Sequence, residues 1–262
     1  MVADNATRFR VGKVNFEVTN LDLAVTDFIR LAKSSRREEF PVRLSNAYCV
    51  ALASRDSSYA DLFNGPGLTF PDGAPVAWVM RNFPTGSRQA RRVRGPSFFA
   101  EVIDKGRKCG LRHYLFGSTD ETLLSLRAAV LDRYPGALIV GVHSPRFGDL
   151  DDEYFGEALG EIDACKPDVV WVGLGTPKQD FAAATLSRNT GLPCVGVGAA
   201  FDFIAGTSKE APVWVQQSGL EWLFRLCSEP KRLWRRYLFG NSRFLVSVII
   251  EAWRNRINRL NA

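Results

Sequence analysis

The 262-residue chain holds only two histidines, two methionines and five cysteines. Cys49, Cys109, Cys165, Cys194 and Cys227 are scattered, odd in number and never form a C-x-x-C pair, which argues against a disulfide framework. His113 and His143 add too little to assemble a zinc site, so the thiols read as reduced and mostly buried. The opening MVADNATRFR lacks the apolar stretch of a signal peptide. The longest apolar stretch near the end, Phe244–Ile250, is far too short to span a bilayer. Absent too are the Walker phosphate loop and the G-x-G-x-x-G dinucleotide fingerprint. These absences point to a cytoplasmic protein without a resident metal or cofactor.

Charge, by contrast, is abundant and lopsided. From Lys209 onward stand ten basic and four acidic residues, an excess equal to the net +6 of the whole chain. A neutral body thus carries a basic tail, interleaved with Trp222, Phe224, Trp234, Tyr237, Phe239, Phe244 and Trp253. Such asymmetry calls for an anionic partner: phosphates, an acidic membrane surface or nucleic acid. Within the tail, Ser218–Leu226 reads as one helix, and Ser228-Glu229-Pro230 opens the next with proline in its first turn. Arg232, Arg236 and Arg243 share a face of that second helix, beside an apolar stripe of Leu233, Tyr237, Phe244 and Val248. A basic amphipathic helix of this kind suits the headgroup level of an anionic membrane, or docks its apolar stripe on the body.

In the body, short apolar runs alternate with amphipathic segments. Val42–Leu44, Leu68–Phe70, Tyr114–Phe116, Leu138–Val142, Val169–Val172 and Cys194–Val197 read as strands, each except the last followed by a helical pattern. Repetition of that order predicts an α/β fold: a Rossmann-like, largely parallel sheet with helices on both faces, over residues 1–208. Residues 209–262 are expected to form a helical appendage.

Ligands of such sheets sit at the carboxyl ends of strands. Pro71-Asp72-Gly73 places a carboxylate there, where Asp72 could deprotonate a sugar hydroxyl and Gly73 leaves room for approach; an ordinary Asp-Gly turn is the other reading. Asn46 is placed either to bond a ligand or to cap the following helix. The loop Gly173-Leu-Gly175-Thr-Pro-Lys178-Gln179-Asp180 opens a helix whose N-terminus, with Lys178, favours a phosphate. The loop from Gly196 through Gly198 to Phe201-Asp202-Phe203 leaves similar space. Asp149-Leu-Asp151 has the form of a Mg²⁺-diphosphate motif, but precedes a helix and reads as a cap. His143 has no visible partner.

In combination these pieces resemble the WecG/TagA/CpsF family of bacterial glycosyltransferases, from about Val42 to Phe244. The resemblance rests on Pro71-Asp72-Gly73, Arg94-Gly95, Leu115-Phe116-Gly117, Gly173-x-Gly175-x-Pro177-Lys178-Gln179, Gly196-x-Gly198, Phe201-Asp202-Phe203, Ala211-Pro212, Gly219-Leu-Glu221-Trp222, Arg225, Glu229-Pro230 and Arg232. It implies metal-independent, inverting transfer of a sugar from a UDP-sugar to a saccharide on membrane-embedded polyprenyl diphosphate, in cell-surface or exopolysaccharide synthesis. It further implies Asp72 as general base, Asn46 on the acceptor side, and Gln179 with the Gly198–Asp202 loop around the donor. Arg225, Arg232 and Arg235 match appendage positions for diphosphate; Gly73, Arg94, Gly117, Gly175, Lys178 and Phe201 complete the expected substrate-binding set. The implied place is the inner face of the membrane, peripherally bound, with no nucleic acid; a homo-oligomer is left open.

Three positions depart from the family pattern: Asp180 replaces a usual glutamate, Glu210 stands where a basic residue is common, and Pro75 replaces a glycine of the teichoic-acid branch. The last loosens the assignment of N-acetylmannosamine as the donor sugar. The competing readings are a nucleotide-dependent oxidoreductase on the same sheet and a nucleic-acid binder using the tail.

Overall fold

The computed structural model describes residues 8–35, 37–83 and 87–260. The segment before Arg8, read as lacking a signal peptide, and the side chains of Arg254, Arg256 and Arg259 lie outside what is described.

A short antiparallel ribbon opens the chain, β1 (Arg8–Val11) against β2 (Val14–Glu17), followed by α1 (Leu21–Ala32). Next come β3 (Phe40–Ser45), α2 (Ala47–Ala53), α3 (Ser57–Asn64), β4 (Leu68–Pro71), α4 (Ala74–Asn82) and α5 (Gly95–Gly106). Four more strands alternate with helices: β5 (Arg112–Gly117), α6 (Asp120–Arg133), β6 (Leu138–His143), α7 (Asp152–Cys165), β7 (Val169–Gly173), α8 (Lys178–Thr190) and β8 (Pro193–Gly196). Beyond them only helices follow among the described residues: α9 (Ala200–Ala205), α10 (Val213–Ser218), α11 (Glu221–Ser228) and α12 (Pro230–Leu260).

Six strands form one all-parallel sheet in the order β4-β3-β8-β7-β5-β6, the α/β fold that the strand–helix alternation predicts. Strand side chains point alternately to the two faces, so each central strand feeds two cores. Leu115, Val169, Trp171 and Val195 face a cluster closed by α1, α5, α6 and α9. Tyr114, Phe116, Val170, Val172 and Cys194 face the other, closed by α7 and α8. Helix starts follow local chemistry: Thr119 caps α6 through the Thr122 N–H, and Asp120 and Glu121 suit its positive end.

Two expectations for the tail change. Gly219 adopts a left-handed conformation (φ +78°), so the helix expected over Ser218–Leu226 is broken into α10 and α11. The stripe Leu233, Phe244 and Val248 is buried, Phe244 and Val248 packing with α2, α3, α4 and the β1–β2 ribbon. That stripe holds α12 on the body. What α12 presents outward is the next arc of its surface: Leu238, Leu245, Val246, Ile249, Ile250 and Trp253. None of the described helices is long and apolar enough to cross a membrane.

Gly117 shows how closely the strands' carboxyl ends approach. Its φ of +110° suits glycine, and a Cβ there would meet the Gly173 carbonyl oxygen at 2.8 Å. Gly117→Ala is expected to cost about 2 kcal/mol or more in urea denaturation. At Gly206 (φ +77°), where a Cβ meets nothing, the same change should cost only about 1 kcal/mol.

Candidate active site

The loops that leave β3, β4, β7 and β8 converge at the sheet's carboxyl edge, and α11 and α12 cover them. Between lies a cavity of about 700 Å³, lined below by Asn46, Asp72, Gly73, Gly175, Gln179, Gly198 and Asp202. Arg225, Arg232, Arg236 and Tyr237 line it from the helices above.

Asp72 follows the last residue of β4, and its backbone N–H donates to Ser45 O across to β3 (2.9 Å). Its Oδ1 accepts the N–H of Gly95, the first residue of α5 (3.0 Å), while Oδ2 has no hydrogen-bond partner among the described residues. Burial pushes the Asp72 carboxyl above its ordinary value, against the pull of Arg92; Glu221 adds to the rise, and Gly95 N–H and Arg94 oppose it. A raised carboxylate is a stronger base, provided it is still ionised at working pH. Asn46 fulfils the capping reading, its Oδ1 accepting the Tyr48 N–H at 3.0 Å, and it also borders the cavity. A Cβ on Gly73 would approach Asn46 Cβ to 3.1 Å, so glycine lets the two strand ends close up.

On the β7–β8 side Gln179 is the organiser. Its Oε1 accepts Gly175 N–H at 3.1 Å, and its side chain packs against Gly196 and Gly198. Next to it, Asp180 turns inward: fully buried, it accepts a 2.7 Å bond from Tyr59 Oη, and burial lifts its pKa to about 6 despite Tyr59 and Arg43. Arg43 is itself buried, which lowers it to about 10, and both its terminal nitrogens donate to Pro66 O.

The remaining residues of the expected set divide. Arg94 borders the cavity, but its guanidinium is bound to carboxylates: Nη2 to Glu221 Oε1 at 2.9 Å and Nη1 to Glu210 Oε1 at 2.6 Å. Glu210, the departure in charge, is thereby a counter-ion of Arg94. Arg225 stands over the Phe203 ring with its Nε buried and without a partner among the described residues. Arg232 pairs with Glu229 (2.6 Å) at the cavity rim. Four residues do not line the cavity. Gly117 serves strand packing. Phe201 is buried against Phe99 and the Gly173 backbone. Lys178 donates to Gly148 O (2.5 Å) and stands 4.4 Å from the Tyr154 ring centre. Arg235 lies over Trp234.

Sequence reasoning did not single out Arg92 or Glu221 as parts of this site. Arg92 donates to Glu221 Oε2, to Asp72 O (2.7 Å) and to Gln216 O (3.2 Å). Arg236 was visible as a member of the basic face; it adds a cation–π contact to Tyr48 at 4.4 Å. Asp151 caps α7 through the Tyr154 N–H, and His143 stacks on Phe116 beside Glu161. Among the described residues, no three His, Cys, Asp or Glu side chains gather as a metal site.

A sequence profile of the "Glycosyl transferase WecG/TagA/CpsF family" matches residues 9–258. The chain belongs to that family. It is thus a glycosyltransferase, and the oxidoreductase reading falls away. Among its relatives is the "N-acetylglucosaminyldiphosphoundecaprenol N-acetyl-beta-D-mannosaminyltransferase" of Bacillus subtilis (strain 168), 29% identical over 187 residues, 71% of this chain and 70% of the relative. A protein with the same description from Staphylococcus aureus (strain MW2) is 25% identical over 232 residues, 88% of this chain and 89% of the relative.

Asp180 offers a test of the buried side of the site. Its folded-state pKa of about 6 lies above its ordinary 3.8, so between those pH values the folded protein holds the extra proton. Its contribution to stability therefore falls as pH rises from about 4 to about 6. In urea titrations across that range, Asp180→Asn should flatten the decline relative to the parent protein.

Proposed function

We propose that the protein is an inverting, metal-independent glycosyltransferase that moves a hexose or N-acetylhexosamine-type sugar from a UDP-sugar to a saccharide on polyprenyl diphosphate, for a cell-surface polymer. One observation carries this reading: a strand-end carboxylate with raised basicity lies in a cavity whose opposite wall is arginine-rich. The relatives' names, which specify a lipid-diphosphate acceptor, support it.

In this scheme Asp72 Oδ2 takes the proton of the acceptor hydroxyl as its oxygen attacks the anomeric carbon. The new glycosidic C–O bond forms opposite the breaking bond to UDP, which inverts the anomeric centre. Charge then builds on the departing diphosphate. Arg225, Arg232 and Arg236, which line the cavity, would receive it; fixed cations in a cavity need little rearrangement at the moment of reaction. A guanidinium can grip phosphate oxygens in pairs, which suits this duty better than an ammonium. Gln179 and its glycine neighbours would hold the donor side, and Asn46 the acceptor side.

α12 brings the enzyme to its substrate. Trp253, 68% exposed, and Trp214 of α10, 69% exposed, are outward aromatics, and Leu245 and Ile249 of α12 are outward apolar residues in a segment whose sequence is rich in arginine. Such a surface would rest in the headgroup region of the inner membrane leaflet, each basic residue adding about 1 kcal/mol on an anionic bilayer.

Incubation of the protein with lipid-linked acceptor and a panel of UDP-sugars should reveal turnover with at least one donor; none with any would sink the proposal. Asp72→Asn should lower kcat by about 10²- to 10⁴-fold with donor affinity retained in calorimetry. Since α12 is part of the core, membrane binding is best tested on its exposed arc. Ile249→Glu with Ile250→Glu should reduce binding to anionic liposomes at least tenfold in flotation, with an unchanged circular dichroism spectrum.

A further inference from the structure

Glu221 is the first residue of α11, buried and set between two arginines that belong to the core. Arg94 reaches it through Nε (3.1 Å to both oxygens) and Nη2 (2.9 Å), and Arg92 through Nη2. The same Arg92 holds the backbone carbonyl of Asp72, and the residue after Arg94 donates its N–H to the Asp72 carboxylate. A charge on the appendage is thereby wired to both sides of the proposed base. We propose that Glu221 is a positioning residue for Asp72: by neutralising Arg92 and Arg94 it keeps the Asp72 carboxylate basic, and it does so only while the appendage is docked.

This inference rests on the reading of Asp72 as the base. Its physics is a matter of unequal partners. Arg94 has a second carboxylate, Glu210, whereas the other acceptors of Arg92 are the carbonyls of Asp72 and Gln216. Removing Glu221 leaves Arg92 with no carboxylate among these partners, and its full positive charge then acts on Asp72. A nearby uncompensated cation favours the ionised carboxylate and weakens it as a proton acceptor. The other titratable groups sharing the cavity with Asp72 are Tyr48 of α2, Asp202 of α9, Arg225 of α11, and Arg232, Arg236 and Tyr237 of α12; Asn46 on the β3 side is neutral. Glu221 stays ionised in this setting: burial alone would raise it, but the hydrogen bonds and charges of Arg94 and Arg92 outweigh that and bring it below the ordinary glutamate value. The turn before it seats the whole arrangement, since a Cβ on Gly219 would come within 3.3 Å of Ala74 Cβ, two residues from Asp72.

The test is a carboxyl-carbon NMR titration of Asp72 in the full-length protein, assigned with Asp72→Asn, alongside pH profiles of kcat/KM. In Glu221→Gln the Asp72 titration is expected to move down by about one pH unit or more, with the acid limb of the profile moving with it. Arg92→Gln, which leaves Glu221 in excess, should move both upward; combining the two substitutions should return them toward the parent values. This opposite sign separates the proposal from general damage, and Arg92→Gln supplies the readout if Glu221→Gln does not fold. An Asp72 titration unmoved by both single variants overturns the inference. A titration that moves while the acid limb stays fixed removes Asp72 as the base, and so overturns the reading beneath it.

Discussion

A glutamate buried between two arginines decides how the upper half of this molecule is arranged. Glu221 begins the helices that cover the active cavity; Arg92 and Arg94 belong to the segment that leads from β4 into α5. Ion pairs of this kind add little net stability when formed, because desolvation offsets the attraction. Breaking one is another matter: a stranded buried charge costs about 3–5 kcal/mol. The cluster therefore acts less as glue than as a selector of position. It accepts one seating of α11 over the strand ends, and the apolar stripe of α12 adds the burial that makes the seating stable.

From that seating the division of the cavity follows. The parallel sheet supplies a rigid floor, with Asn46 and Asp72 on adjacent strand ends and the Gln179 loop beside them. The helices supply cations. On the proposed reading the sheet offers the proton acceptor and the helices offer the cations for a leaving diphosphate, so that tail and body would work as one catalytic unit.

How much of this was legible beforehand depends on the range of the interaction. Strands and helices were legible because their signals are local: apolar runs, glycine turns, the Thr119 cap. Asp72 stood out because a carboxylate at a strand end next to glycine is a local pattern too, and Asn46 because it is a polar residue directly after an apolar strand. Glu221 was visible within the Gly219-Leu-Glu221-Trp222 motif, but its role was not, since the partners that give it meaning lie 127 and 129 positions away. Periodicity revealed an apolar stripe on α12 but carried no information on whether that stripe would meet a core or a bilayer. Only the presence of α2, α3 and the opening ribbon as a receiving surface settles that it meets the core. Gly117 and Phe201 belonged to the recognisable motif set, yet their constraint is close packing between neighbouring strands and the helix above them.

The cluster also shapes how this sequence can change over generations. Of the three positions 92, 94 and 221, 221 is the one that cannot drift alone without a large penalty, because its loss leaves Arg92 without a carboxylate, whereas Glu221 keeps one arginine when 92 or 94 is lost. A substitution at 221 should arise together with one at 92, and the presence of Glu210 beside Arg94 gives one of the arginines a spare counter-ion that the other lacks. Position 94 has latitude; position 92 and position 221 are bound to a shared history.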